Sequence, residues 1–209
     1  MSSGPGRHPT SLLATATLVG RMRAVELAAF ALLGRRARAA APPGLAAFLA
    51  GASHAHAWRA GQLEGHLPVS VTLPSAGDLT VTAGPHVERA LRLLEDGEDA
   101  PLVAALGTAL YPAMLAGYDA RLALASPAAD PPLVRTLGRL RHDLAALAEE
   151  ARRHADGPGG GRTALADACA DALAPLGPFG PIGHPTSPPA ASSSWSGPLP
   201  PPGVADRGA

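Results

Sequence analysis

The spacing of the apolar residues, and the lengths of the links between the segments that carry them, restrict this chain to few folds. Apolar side chains recur every three or four residues in four long segments, which is the pattern of helices that bury one face. Prolines near the start of three of these segments suit the first turn of a helix. The sequence therefore predicts four long helices, at residues 11–39, 42–66, 101–125 and 131–155, and a short one at 86–95.

The links between the segments differ in length, and this difference predicts how the helices are arranged. Short links after the first and third helices make each pair of neighbours antiparallel. The link at 67–85 has 19 residues, whereas about 11 extended residues would span a helix of about 24 residues. We therefore predict an all-α fold in which one long crossover joins helices 2 and 3. Short alternating stretches at 69–73 and 79–81 predict extended chain or a small hairpin in the crossover.

Glu26 is the residue that most needs a physical explanation. It lies within the apolar stripe of helix 1, whose other members are Leu12, Ala16, Val19, Met22, Phe30 and Leu33. A buried carboxylate is costly unless it is paired or bound. His56 occupies a comparable stripe on helix 2, and each of the two residues lies about 14 positions from the turn between the helices. We predict that they form a hydrogen-bonded pair and that His56 favours its protonated form. A rotation of either helix would instead leave each with backbone, Arg or water as partner.

Other polar side chains are candidates for the same interior. Positions two apart on a helix point about 200° apart, so His54 and His56 do not easily bind one metal ion together. His54 either joins the buried polar set, lies in solvent or packs on Trp58. Tyr118 and Tyr111 either donate hydroxyl hydrogen bonds toward Glu26 or pack as ordinary core rings. The candidate buried polar residues are therefore Glu26, His56, His54 and Tyr118, and no residue is assigned a catalytic role.

Charge and hydropathy argue against two classes of partner. The 17 basic and 17 acidic residues give a formal net charge of zero, so we expect no nucleic acid partner. The uncharged run at 100–118 approaches membrane-spanning length, but its Ala, Gly and Pro residues favour a buried helix, and we expect no membrane partner. No targeting segment is recognised, which favours a cytoplasmic protein.

The composition of the chain changes after the fourth helix. Glycines at 157–161 predict a flexible break, and the stretch that follows could form one more short helix. From residue 177 onward Pro, Gly and Ser dominate, which is typical of disorder. The predicted organisation is a four-helix bundle at 10–155, a linker with a possible short helix at 156–176, and a disordered tail at 177–209.

The stretches "FLAGASHAHAW" and "ASPAADPPLVRTLGRL", with the helix order and the long crossover, resemble ferritin-like bundle proteins of GC-rich bacteria. The resemblance covers residues 10–155 and implies a ferritin-like four-helix bundle. Active di-iron members carry a Glu on each of two helices and a Glu-x-x-His on each of the others. Glu26 matches the first Glu, but no acidic residue stands three positions before a histidine; three such positions hold Gly51, Ser53 and Arg139. The resemblance therefore implies a degenerate di-iron site.

Three functions follow as hypotheses. The first is a non-catalytic scaffold or partner-binding module, with a protein partner or self-association. The second is a residual metal-binding protein or oxidoreductase that uses Glu26 and His56, with iron or manganese. The third is a bundle that binds a small molecule in a pocket lined by the same polar pair. We rank the scaffold first, expect no metal and no cofactor, and favour a protein that is not an enzyme.

Overall fold

The computed structural model describes residues 12–69, 74–80, 83–155 and 163–177, and every regular element in these ranges is helical. The predicted all-α class is therefore confirmed for this part of the chain. The helices are α1 (Leu12–Ala39), α2 (Pro43–Glu64), α3 (Ala76–Leu79), α4 (Pro85–Asp96), α5 (Asp99–Ala105), α6 (Tyr111–Leu124), α7 (Pro131–Ala155) and α8 (Ala164–Leu173). A π-helical turn joins α5 to α6, so they form one long helix, Asp99–Leu124. Residues 10 and 11 and the predicted tail from 178 onward lie outside the described residues.

Proline positions and apolar spacing explain the bounds and the buried faces of several helices. Pro43 and Pro85 begin α2 and α4, where a missing N–H lacks an intrahelical partner in any case. On α7 the residues that recur every three or four positions are leucines, and all five are buried: Leu133, Leu137, Leu140, Leu144 and Leu147. The apolar period in the sequence and the burial of these side chains in the structure agree on α7, so this helix is the element that the sequence predicts best.

α1 and α2 pack against each other in opposite directions. Arg23 of α1 donates to Glu64 at the end of α2 at 3.1 Å. Ser53, nearer the start of α2, donates to the carbonyl of Phe30, nearer the end of α1, at 2.9 Å. Residue numbers that rise along α1 therefore fall along α2, as the short link between them predicts.

α2 and α7 are also antiparallel. The ring of Phe48, near the start of α2, packs on the ring of His154, near the end of α7, with their centroids 4.6 Å apart. At the other end, His66 just after α2 contacts the Thr136 hydroxyl near the start of α7 at 2.8 Å. α7 therefore runs parallel to α1.

The long helix runs antiparallel to α1. Arg36, near the end of α1, pairs with Asp99 at the start of the long helix at 2.8 Å. Tyr118, near the end of the long helix, reaches Glu26 in the middle of α1 at 2.8 Å. The long helix is therefore parallel to α2, and the chain between them must return along the length of the protein before the long helix begins.

The π-helical turn, Leu106–Leu110, lies where the long helix packs against α7 and α8. A π turn widens one turn of the helix by a residue and shifts its hydrogen bonds. The carbonyl oxygen of Gly107 in this turn accepts from Arg152 near the end of α7 at 3.2 Å. Arg141, nearer the start of α7, pairs with Asp119 at 2.8 Å, so α7 and the long helix are antiparallel.

The crossover and the predicted linker both contribute helices to the core. α4 of the crossover and α8 of residues 163–177 pack against each other and against the start of the long helix. Thr163 caps α8 by accepting from the N–H of Ala166 at 3.1 Å. Cys169 of α8 is fully buried, and burial raises the pKa of its thiol to about 11. α8 therefore packs into the core, although it lies in the segment that was predicted to be a linker with a possible short helix.

The crossover differs from its prediction. Ser75 and Asp78 form a capping box, in which each side chain accepts from the backbone N–H of the other residue. The box closes residues 76–79 into the helical turn α3, so the prediction of extended chain is wrong for Leu79. Residues 70–73 and 81–82 lie outside the described residues.

Two apolar residues predicted for the buried stripe of α1 lie at the surface instead. Leu12 is 65 % exposed and Phe30 is 42 % exposed. The buried face of α1 is rotated from the predicted stripe, because it also includes Leu18, Val25, Ala29 and Leu32. Leu12 and Phe30 thus fall at the edge of the face that the other helices cover.

The long helix is, within the described ranges, the one helix whose length and composition would let it span a membrane. Most of its apolar segment is buried inside the structure. The same length and composition are found in the core helices of proteins that do not enter a membrane.

Gly20 of α1 lies directly against the backbone of α3. A Cβ at this position would collide with the carbonyl group of Leu79. We predict that Gly20→Ala lowers the free energy of unfolding by about 1–3 kcal/mol, although alanine favours helix, because α3 has to move. Urea unfolding measures the change. Gly138→Ala on α7 is the control, since a Cβ there meets nothing within 4 Å; a Gly20→Ala protein as stable as the wild type would contradict this packing.

Candidate functional site

Glu26 lies at the centre of a group of buried polar side chains from α1, α2 and α6. The residue is 1 % exposed. Its Oε1 accepts from the hydroxyl of Tyr118 at 2.8 Å, and its Oε2 accepts from His56 Nδ1 at 2.6 Å and from Arg59 Nε at 3.0 Å. The hydrogen bond predicted between Glu26 and His56 is present. We call Glu26, His56, Arg59, Tyr111 and Tyr118 the buried polar cluster.

Arg59 is the member of this cluster that the sequence analysis misses. It is 1 % exposed and lies three residues after His56, on the same face of α2. The interval of seven residues between His56 and Leu63 was the available signal, because another inward position must lie between them. Arginine is almost never fully buried unless it is paired. The carboxylate of Glu26, on a different helix, is the partner that allows its burial.

The charge of Glu26 is balanced inside the cluster. Burial on its own would raise the pKa of this carboxyl group, but Arg59 and His56 beside it hold the pKa below its ordinary value. Glu26 is therefore ionised at neutral pH. Arg59, whose guanidinium lies against it, supplies the compensating positive charge.

His56 is neutral, which corrects the prediction that it favours its protonated form. Burial, together with the nearby Arg59, lowers the pKa of the imidazole more than Glu26 raises it. The prediction treated His56 as the cation beside Glu26, whereas Arg59 has that role. His56 Nδ1 lies 2.6 Å from the ionised Glu26 and 3.0 Å from Arg59 Nη2. The shorter contact is with a carboxylate, which can only accept, so it assigns the imidazole proton to Nδ1, and Arg59 Nη2 then makes no hydrogen bond to this nitrogen. Nε2 is then the acceptor that faces the Tyr111 hydroxyl at 3.4 Å.

The two tyrosines of the long helix face the cluster together. They are seven residues apart, about two helical turns, and thus lie on one side of the helix. Tyr118 takes the first of its two predicted roles and donates to Glu26. Tyr111 packs its ring against that of His56, with the centroids 5.6 Å apart. Burial raises the pKa of both hydroxyl groups, so both remain protonated.

His54 does not belong to the cluster, which corrects its place among the buried polar candidates. It is exposed on α2. It stands two residues before His56 and so points to nearly the opposite side of the helix. Ser53 takes the inward position next to it and donates to the carbonyl of Phe30.

A second buried arginine, Arg121, lies one helical turn after Tyr118. It is 3 % exposed, and burial lowers its pKa, while Asp130 acts in the opposite direction. Its Nε and Nη1 atoms have no hydrogen-bond partner among the residues that the structure describes. Arg121 is not paired with Glu26, so the charge balance of the cluster depends on Arg59.

The residues of the cluster do not fit a di-iron centre. Such a centre takes carboxylates and histidines from all four helices of a bundle. Within the described ranges, no group of three or more His, Cys, Asp or Glu side chains comes together. The guanidinium of Arg59 lies against Glu26 Oε2, where a bound cation would compete with it. The arrangement provides a charge-balanced network of hydrogen bonds and lacks the donor set of a di-iron site.

The buried polar cluster joins α1, α2 and α6 through one carboxylate whose two oxygens both accept hydrogen bonds. A buried polar network whose members are satisfied makes a core more rigid. No family model matches the sequence, and neither a curated protein nor a solved structure matches it.

Proposed function

We propose that the chain is a ferritin-like four-helix bundle with an ion pair in place of a metal centre, and that it acts as a non-catalytic scaffold or partner-binding module. α1, α2, the long helix and α7 form the bundle, and the crossover joins α2 to the long helix. The helix directions support this arrangement, because α1 and α7 run one way while α2 and the long helix run the other. A bundle with one long crossover has this order of directions.

One observation carries the proposal. Both carboxylate oxygens of Glu26 accept hydrogen bonds from protein side chains, and one of these donors is a guanidinium. An ionised carboxylate with these partners has no need of a metal ion for its burial. The neutral His56 donates its Nδ1 proton to the same carboxylate, and its Nε2 faces the Tyr111 hydroxyl in a core where both side chains are fully buried, so the imidazole is closed off from solvent.

The proposed role of the cluster is to fix how three helices pack. Glu26, Arg59 and Tyr118 belong to α1, α2 and α6, and their hydrogen bonds meet at one carboxylate. A slide or rotation of any of the three helices would leave a buried charge or a buried hydroxyl unpaired, which is costly. The bundle therefore offers a rigid surface for a protein partner. The predicted disordered tail at 177–209, the domain limits, the cytoplasmic location and the lack of nucleic acid and membrane partners stay predictions.

The protein is expected to retain no stoichiometric metal after incubation with Fe(II), Mn(II) or Zn(II) and dialysis, because Arg59 competes for Glu26. Elemental analysis of the wild type, Glu26→Ala and Glu98→Ala measures this. Glu98 is the control, since it is exposed and lies outside the cluster. Stoichiometric metal that is lost in Glu26→Ala and kept in Glu98→Ala would overturn the proposal in favour of a residual metal-binding protein.

The small-molecule hypothesis ranks below the scaffold. A ligand held by the polar pair needs a cavity that Glu26 lines. Glu26 lines neither the groove between α2 and α7 nor the smaller cavity beside α8. Both carboxylate oxygens of Glu26 are instead occupied by hydrogen bonds from His56, Arg59 and Tyr118.

A further inference from the structure

An open groove of about 540 Å³ lies between α2 and α7. Glycine and alanine form most of its α2 wall, with Phe48 toward the start of the helix. The α7 wall carries two carboxylates, Asp143 and Glu150, and ends at His154, whose ring packs on Phe48. We call this feature the α2–α7 groove.

The α2 side of the groove is a track of small residues that leads to an exposed aromatic ring. Its members follow one another at intervals of three or four residues and so lie on one face of the helix: Gly44, Ala47, Gly51, Ala55 and then Trp58. A Cβ at Gly44 or Gly51 would meet nothing within 4 Å. The track runs over 15 residues, or about 21 Å, which matches a docked helix of about four turns. Trp58 is 38 % exposed, and tryptophan is enriched among the residues that dominate binding energy.

The opposite wall carries two carboxylates that are not in direct contact with a basic side chain among the described residues. Asp143 and Glu150 have no ion pair and no hydrogen bond among the residues that the structure describes. Five other surface carboxylates do pair with arginines: Glu64, Glu95, Asp99, Asp119 and Glu149. The two groove carboxylates are seven residues apart on α7, about two turns or 10 Å. Two positive charges at the same separation on a second helix would complement them.

We propose that the α2–α7 groove docks an amphipathic helix of another protein, which carries two Lys or Arg side chains seven residues apart beside an apolar face. This inference rests on the proposed function as a partner-binding module and names the surface used. Small residues let the backbone of the partner approach α2, Trp58 packs on its apolar face, and the two cations pair with Asp143 and Glu150. Binding of this kind is the helix-in-groove mode.

The sequence itself argues that the partner is not a second copy of this chain. All 17 basic residues are arginines, and no two of them are seven positions apart. A second copy would therefore lack a helix with the required pair of cations. The complementary helix has to come from a different protein.

A panel of labelled helical peptides of about 18 residues tests the proposal. All share one Ala/Leu face and two lysines, and the lysines are three, four, seven or eleven residues apart. Fluorescence anisotropy with the full-length protein gives the affinities. We expect the seven-residue spacing to bind at least about tenfold more tightly than the others and to weaken as salt is added.

Two variants locate the binding. Gly51→Leu fills the groove from a position with open space. The double variant Asp143→Asn with Glu150→Gln removes the negative charge of the groove. Each should weaken peptide binding about tenfold or more, while thermal unfolding shows that the fold is intact. Gly138→Leu, also at an open position but on α7 outside the groove, is the control. Equal binding at every spacing, binding unchanged by both groove variants, or no binding at all would overturn the proposal. Such a result would overturn only the proposed docking site and would not bear on the proposal of a metal-free bundle. Stoichiometric metal at Glu26 would refute the proposed function of the bundle, regardless of the peptide-binding result.

Discussion

We expect Arg59→Met to lower the free energy of unfolding by about 3–5 kcal/mol, the cost of breaking a buried ion pair from one side. The substitution keeps an unbranched side chain in the core but removes the cation beside Glu26. The carboxylate would then be buried with two neutral partners, His56 and Tyr118. Urea unfolding at neutral pH measures the loss. Arg139→Met is the control, because Arg139 is exposed on α7 and has no ion pair among the described residues, and it should change stability by less than about 0.5 kcal/mol.

A double variant separates the unpaired charge from the lost packing. Glu26→Leu combined with Arg59→Met removes both charges, and an apolar pair of similar volume in place of an ion pair is often neutral or stabilising. The double variant should therefore be more stable than Arg59→Met alone, although His56 and Tyr118 lose their acceptor. A double variant that is less stable than Arg59→Met would show that the cost of that substitution does not come from an uncompensated Glu26.

We also expect the protein to lose stability as the pH falls below about 6.5, the ordinary pKa of histidine. The pKa of His56 is lowered in the folded state, so the unfolded chain takes up its proton first and unfolding is favoured as the pH drops. The lowered pKa of Glu26 acts in the same direction at more acid pH, below its ordinary value of 4.5. For each proton that the unfolded state takes up alone, the slope approaches about 1.4 kcal/mol per pH unit.

Two glutamine variants on one helix isolate the contribution of His56. In His56→Gln the side chain can still donate to Glu26 but does not titrate, so the slope just below about pH 6.5 should become smaller, by at most the about 1.4 kcal/mol per pH unit that one proton gives. His54→Gln, the same substitution at an exposed histidine of α2, is the matched control. Urea unfolding across this pH range gives both slopes. An unchanged slope in His56→Gln would mean that His56 is already protonated in the folded protein.

The contact between Glu26 and His56 could be predicted because link length limits where two helices can meet. A turn of two or three residues forces α1 and α2 to be antiparallel, and counting from the turn then gives the height of each position. The sequence could not decide whether Tyr118 donates to Glu26 or packs as an ordinary core ring, because the rotation of the long helix about its axis depends on its neighbours. Link lengths and apolar periods therefore predict which helices are adjacent, and leave their rotation open.

The burial of Arg59 could not be predicted in the same way. An arginine considered alone belongs at the surface, and its burial depends on a carboxylate that lies 33 positions away in the sequence. The error about the charge of His56 has the same origin, because the prediction did not include Arg59, which is the cation beside Glu26 and lowers the pKa of His56. Leu79 was predicted to be extended because polarity alternates over residues 79–81, but the capping box of Ser75 and Asp78 outweighs that short pattern and forms a helical turn.

The π-helical turn at residues 106–110 divides the long helix into two parts that pack against different neighbours. The part before the turn packs with α8, and the part after it directs two phenol rings toward α1 and α2. A π turn takes up one extra residue while the helix on either side continues, so a chain one residue shorter at this point would close as an ordinary α turn with both phenols still facing α1 and α2. The wide turn is thus the place where the long helix best tolerates a change of length by one residue.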